Sequence, residues 1–582
     1  MMQTAVAQES PIASQKGHPK GLSVLFATEM WERFNFYGMR ALLTLFLVNA
    51  LAFSEAESSY IYGGFLGLCY LTPMLGGYIS DRYLGNRNCI LLGGFIMGIG
   101  QLLMVLSATV YASNVETAKT IVWIALLVII FGNGFFKPNI SSMVGQLYPK
   151  NDGRLDSAFT IFYMGINMGA FLGMLICPIL GDVTDLRGIR VVSAFKWGFL
   201  AAGLAMFLGT ILFYFLKNKY VVTPDGKAIG AKPDFSKSHT QDINAIGDKT
   251  AGTASGEAEK ANFTIGAIVG VLVLMVALFF GIHYLSLDAS PIKSWLYPFI
   301  YAAGISLAVL ILTDKSITKV ERQRILVIYF VAFFVIFFWA CFEQAGSSLT
   351  FIADYQTDRR LFGWDMPPSF VQNANSIFII VFALPFSWLW LKLQQRNLEP
   401  ISPIKQSLGL ALLSLGFFII AIQMKSLGPN EKLGVSWLIL MYLFHTLGEL
   451  CLSPIGLSLV AKLAPHRFSS LLMGVWFLAN AAGYALAGTL GALLPPTLDK
   501  YKLATDNGID LKGILDGTIT ATAQQLDKLH ELKLATQYPT FAGYTIHNLY
   551  EFFMVFVILP GAAAILLFLS TSFLKKWMHG VR

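Results

Sequence analysis

Glu29-Met30-Trp31-Glu32-Arg33-Phe34, closely followed by Tyr37 and Gly38, places two carboxylates and a guanidinium inside an apolar run. That run, from about Leu22 to Leu51, is long enough to cross a bilayer. Each charge there costs about 2.5–3.5 kcal/mol on insertion-based scales. Glu29 and Arg33 are four residues apart, so on a helix they share a face and partly neutralise each other. The competing reading is an ion pair that only stabilises, but two apolar residues would serve stability better. Ionisable groups at that depth point instead to proton or solute chemistry.

The next isolated charge is Lys137, in Phe131-Gly-Asn-Gly-Phe-Phe-Lys137-Pro138. Pro138 removes a backbone donor, while Gly132 and Gly134 let a neighbouring helix approach. Snorkelling to the surface is the bland alternative for the lysine. Asn167, in Phe162-Tyr-Met-Gly-Ile-Asn167-Met-Gly169, serves equally as interhelical glue or as a solute contact. Tyr70 is either packing or a pocket wall. In the second half the stranded charges change sign. Glu343 follows Trp339 by four residues, on the same face, and Glu449 stands one turn before Ser453-Pro454. Asn375 and Trp476 lie in flanking spans. His445, one turn before Glu449, is more economically a buried, hydrogen-bonded histidine than a proton relay. The first half thus offers Arg33 and Lys137, and the second offers Glu343 and Glu449 without an obvious local cation. Opposed poles suit a small zwitterion whose charges are on the order of 5–10 Å apart, at ~3.5 Å per residue.

Of the 582 residues, 55% are hydrophobic and 13% charged, a profile of an all-α polytopic membrane protein. The net charge of +8 is scattered through short loops, which fits positive-inside topology and not a nucleic-acid surface. The cysteines (Cys69, Cys89, Cys177, Cys341 and Cys451) fall in or beside apolar spans without a CxxC pair, arguing against disulfides and cysteine-held metal. Neither an HExxH nor a GxSxG pattern occurs, so an intramembrane enzyme is disfavoured. The N-terminal residues lack a cleavable signal pattern.

Counting apolar runs predicts about fourteen spans. A tail, 1–21, precedes a six-helix bundle over 22–216. A flexible linker, 217–261, leads to two inserted helices over 262–313. A second six-helix bundle over 314–582 contains a polar insertion, 497–545, with too little apolar surface for a domain. Basic residues cluster in alternate loops (Arg82 and Arg87, Lys150 and Arg154, Lys392 and Arg396, Lys462 and Arg467), so tail, linker and both termini are expected in the cytoplasm and the insertion outside.

Two six-helix halves, together with the glycine-opened loop Gly77-Tyr-Ile-Ser-Asp81-Arg82-Tyr-Leu-Gly-Asn-Arg87, resemble the major facilitator superfamily. The ExxERF stretch, FGNGFFKPNISS, FYMGINMGA and GELCLSPIGLS resemble the proton-coupled oligopeptide transporter (POT) family across nearly the whole core, and the two central helices resemble its bacterial members. The resemblance implies a symporter of di- and tripeptides in the cell inner membrane, with protons as coupling ion, no other cofactor, and function as a monomer. Carried over, Arg33 and Lys137 hold the peptide carboxylate, and Glu449 with Asn375 holds the amino terminus. Tyr37, Tyr70, Asn167, Trp339, Ser453 and Trp476 line the substrate pocket. Glu29, Glu32, Arg33 and Glu343 take part in proton coupling. The chain departs from the family pattern at Phe36, where a tyrosine is usual, and at Ser376, where proline often follows the asparagine. The alternatives are a carrier of nitrate or a drug-like molecule on the same fold, or a non-transporting sensor, for which the linker and tails are short.

Overall fold

The computed structural model describes residues 17–148, 154–223, 226–232, 263–287, 290–428 and 431–581. Residues 1–16 of the expected tail, Lys150, and 233–261 of the expected linker lie outside the described residues. The first half consists of α1 (Lys20–Asn49), α2 (Glu55–Ile79), α3 (Asn86–Val110), α4 (Val115–Gln146), α5 (Leu155–Gly181) and α6 (Phe195–Tyr220). The inserted pair is α7 (Ile265–Tyr284) and α8 (Tyr297–Leu312). Next come α9 (Lys319–Phe342), α10 (Ser348–Tyr355), α11 (Ala374–Gln395), α12 (Ser402–Ser426), α13 (Val435–Leu463) and α14 (Ser469–Gly491). The short helices α15 (Leu498–Asp506), α16 (Leu511–Leu515) and α17 (Ala523–Glu531) precede α18 (Leu549–Trp577).

Local chemistry sets the starts. Ser54 with Glu57 and Thr318 with Glu321 form reciprocal capping boxes at α2 and α9, and Asn114 and Asn548 cap α4 and α18. Twelve described helices are long and apolar enough to cross a membrane. α1 and α2 are not among them, α1 because of its buried charges and α2 because glycine and tyrosine dilute it. Both nonetheless pack inside the same assembly. α1 lies on α5 and α6, α3 on α4 and α6, and α2 on α4. In the second half α12 packs on α13 and α18, and α9 on α14 and α18. The halves meet through α2 against α14 and α5 against α11. α8 wedges against α14 and α2, whereas α7 buries only Val271, as a helix apolar on all sides does when it faces lipid.

Two expectations change. Residues 221–223 and 226–232, the described part of the expected linker beyond α6, do not behave as a flexible linker. Arg87 donates to the carbonyls of Lys217, Val221 and Ile229 and to the Asn218 side chain, and Ile229 is buried in the first-half core. One guanidinium thus bridges carbonyls at the end of α6 and on the returning strap, whose Ile229 N–H also bonds Val221 O, so the strap folds back rather than leaving. The 497–545 insertion has a small core of its own, with Ala504, Ile509, Leu511, Leu529 and Leu534 buried. Sequence periodicity missed it because its apolar residues are spread over three helices of nine residues or fewer and the turns beside them.

Candidate functional site

A deep cavity of about 1180 Å³ runs between the halves, somewhat larger than the usual small-molecule site of about 300–1,000 Å³. From the first half, Tyr37 and Arg40 of α1, Tyr70 of α2, Lys137 of α4 and Asn167 of α5 line it. From the second, Trp339 and Glu343 of the α9 end, Asn375 of α11, Glu449 and Ser453 of α13, and Trp476 of α14 complete the wall. Sequence reasoning named all of these except Arg40.

Lys137 reaches the wall because α4 can press closely on its neighbours. A Cβ on Gly134 would stand 2.8 Å from Thr72 Cβ, and one on Gly132 would stand 2.6 Å from Met97 Cγ. The Lys137 ammonium lies 3.6 Å from the Tyr70 ring centroid, a cation–π contact. Among the described residues no carboxylate is within ion-pair distance of it, so its charge is available to a solute. Tyr70 in turn meets Tyr484 with ring centroids 4.7 Å apart, and Tyr484 meets Trp339 at 5.8 Å. Opposite, Asn375 donates to Glu449 Oε2 at 3.1 Å and to Thr446 Oγ1 at 3.0 Å. The amide orients the carboxylate and leaves its second oxygen unengaged. Asn167 spends a donor on Tyr163 O at 2.9 Å, keeping its carbonyl for other use.

Arg33 is placed differently from its neighbours. It lies outside the cavity wall, held by Glu29 at 2.9 Å and Glu32 at 2.5 Å, with all three side chains at most 5% exposed. The grip is incomplete. Arg33 Nη2 and both Glu32 oxygens are buried without a hydrogen-bond partner. Stored donors of this kind are costly unless a further group engages them.

Glu343, expected to lack a local cation, has one. Arg40 Nη1 reaches its two oxygens at 3.0 and 3.2 Å, and the Tyr62 hydroxyl donates to it at 3.0 Å. The sequence signal was there, because Arg40 follows Arg33 by seven residues, two helical turns. The partner was not visible, being 303 residues away. Glu343 also marks a break, where α9 gives way to a short 3-10 turn, Glu343–Gly346, before α10. His445 is buried as expected but without the expected hydrogen bond: neither ring nitrogen has a partner at hydrogen-bond geometry among the described residues, and the ring packs against Phe417, Phe342 and Tyr442 rather than on the cavity wall.

The cavity closes at one end and opens at the other. At the closed end Arg190, before α6, grips Asp354 of α10 bidentately at 2.7 and 2.9 Å and Asp182 at 2.9 Å. Asp182 accepts further bonds from the Ser369 backbone and hydroxyl. This clasp joins the halves, and removing Arg190 leaves two partly buried carboxylates facing each other. Arg190→Ala is expected to shift the protein toward opening at this end by about tenfold or more, a loss of at least about 1.4 kcal/mol. Faster labelling of a cysteine placed at Ser369 checks this. At the open end the wall continues through Trp390, Glu399, Lys405 and Lys462.

Residues 87–497 match the PTR2 model, described as the POT family. An uncharacterised transporter, YclF, of Bacillus subtilis is 34% identical over 83% of this chain and 90% of its own. The peptide transporter YePEPT of Yersinia enterocolitica is 33% identical over 82% of this chain and 88% of its own. A di-/tripeptide transporter of Lactococcus lactis is 31% identical over 86% and 94%. Among solved structures, a POT family transporter in complex with a thioalcohol-conjugated peptide superposes with a TM-score of 0.69, at 27% identity, over 97% of this chain and 99% of that one. A peptide transporter POT in complex with sulfate gives 0.69, at 26% identity, over 98% of both chains. The helices therefore adopt the major facilitator arrangement of these structures.

Proposed function

The chain belongs to the POT family, and on that premise we propose that it is a proton-coupled symporter of di- and tripeptides working by alternating access. It is a membrane transporter and not an enzyme. The observation that carries the substrate reading is one cavity bearing an uncompensated Lys137 on one half and an Asn375-oriented Glu449 on the other. A peptide with free termini answers both charges at once, its carboxylate toward Lys137 and its ammonium toward Glu449. A sugar needs neither pole, and a simple anion has no use for Glu449.

Coupling follows from Arg33. While Glu29 and Glu32 are ionised they hold the guanidinium. Protonating one removes its negative charge, and Arg33 turns its spare donor toward the cavity and the substrate carboxylate. Proton and peptide then enter together. By positive-inside topology the open end, flanked by Arg396 and Lys462, faces the cytoplasm, as do both termini, so this conformation faces inward. The protein acts as a monomer in the cell inner membrane, with protons its only cofactor.

The test is uptake of a labelled dipeptide into proteoliposomes with an imposed gradient, acidic outside. Wild-type protein concentrates the peptide, tripeptides compete, and free amino acids and nitrate do not. Glu32→Gln keeps peptide exchange but loses concentration against the gradient, its accumulation ratio falling to about one, because the neutral amide mimics the protonated acid at every pH. Undiminished accumulation by that variant would sink the proposed switch, and competition by nitrate would sink the peptide reading.

A further inference from the structure

The open end of the cavity carries a second pair of opposite charges that the alternating-access scheme does not use. Lys405, near the start of α12, reaches Glu399 Oε1 at 2.5 Å and lies 4.6 Å from the centre of the Trp390 ring. The Lys405 side chain is 8% exposed and that of Glu399 32%. All three residues line the cavity wall, as does Ser402. The Trp390 indole Nε1 is buried and has no hydrogen-bond partner.

This pair is poorly explained as reinforcement of the fold. At the same end, Arg467 grips Glu321 bidentately and ties the turn before α14 to the start of α9, two segments 146 residues apart. Lys405 and Glu399 are only six residues apart, on one short connection. A local pair with a partner one-third exposed adds at most about 1 kcal/mol. Among the described residues it faces no opposite charge across the cavity. The first-half wall near the mouth is Ser141, Phe159 and Thr160. An ammonium has three donors and a carboxylate two oxygens, so each partner retains capacity beyond the other. Unlike Lys137, Lys405 touches its carboxylate, so a guest with two charges must part the pair and take one terminus to each, beside an aromatic face.

We propose that Lys405, Glu399 and Trp390 form a second binding station for a short peptide with free termini, at the cytoplasmic mouth. Its carboxylate is held by Lys405 and the Trp390 N–H, its ammonium by Glu399, and an apolar side chain lies on the indole. The inference rests on the peptide reading above. A substrate leaving the central site meets a second pair of matching charges before bulk water, which makes departure stepwise.

Equilibrium dialysis of a labelled dipeptide against the full chain in lipid nanodiscs tests it. Wild-type protein is expected to bind two peptides, one tightly and one weakly. Lys405→Gln weakens the second occupancy by about tenfold, the scale of one lost charged hydrogen bond. C-terminal amidation of the peptide does the same to wild-type protein. The double variant K405E/E399K preserves a pair and guards against a folding defect. It is expected to lose the discrimination between free and amidated peptide at the weak site. One occupancy in wild-type protein, or a second occupancy indifferent to Lys405→Gln and to amidation, overturns the station. Absence of any peptide binding overturns the peptide reading instead, so the two failures are distinguishable.

Discussion

Glu449→Gln weakens binding of a free dipeptide by about 30- to 150-fold, corresponding to about 2–3 kcal/mol for a buried charged contact. Asn375 holds one carboxylate oxygen at 3.1 Å, and the proposed peptide ammonium engages the other. Glutamine keeps the shape, yet it carries no charge and offers one acceptor oxygen in place of two. The loss should fall on peptides with a free amino terminus. N-acetylated peptides, having no ammonium to lose, should bind the variant about as they bind wild-type protein, so the preference for the free form shrinks. Competition against a labelled peptide, run with both forms, gives the answer. An equal loss for both would mean that Glu449 supports the helix rather than the substrate.

Arg40→Gln has an effect of similar size, on conformation. Arg40 belongs to α1 and Glu343 to the break after α9, so their pair ties the halves together at the cavity wall. Removing one partner of such a buried pair costs about 3–5 kcal/mol, because the other charge is left stranded. The conformation closed at the Arg190 end bears that cost, and a two-state carrier answers by populating the other state, by a factor on the order of 100 or more. Spin labels at Leu186 and Phe362, both fully exposed at the closed end, should report a longer mean distance in the variant. Adding Glu343→Gln removes the stranded charge and should bring the distance back toward that of wild-type protein. If the single variant leaves the distance unchanged, the pair is not holding this end shut.

Much of the site was legible because charges in oil stand out one by one. Lys137, Glu449 and Glu343 each interrupt a run of apolar residues, and Asn375, Tyr37, Tyr70, Asn167, Trp339, Ser453 and Trp476 fall on the same cavity wall. What escaped was pairing. Arg40 was hidden by Arg33, the more conspicuous charge of α1, and Arg190 and Asp354 look like ordinary loop residues until 164 residues of chain fold to bring them together. The docked strap after α6 escaped for a related reason. A polar, glycine-bearing stretch reads as flexible unless the arginine that satisfies it, Arg87, is known to be adjacent.

The sequence by itself determined the helices, their membrane-crossing lengths and which residues carry charge into the apolar interior. These are local properties, set by hydropathy, by caps such as Ser54 and Thr318, and by composition. Only the tertiary structure decided which charges are spent and which remain available. Arg33 is turned onto its own helix, Arg40 onto Glu343, and Lys137 onto an aromatic ring. The reason is that ion pairing is a contest over distance in three dimensions. Residues far apart in sequence enter it on equal terms with near neighbours, and only the packed helices settle which partners come within reach.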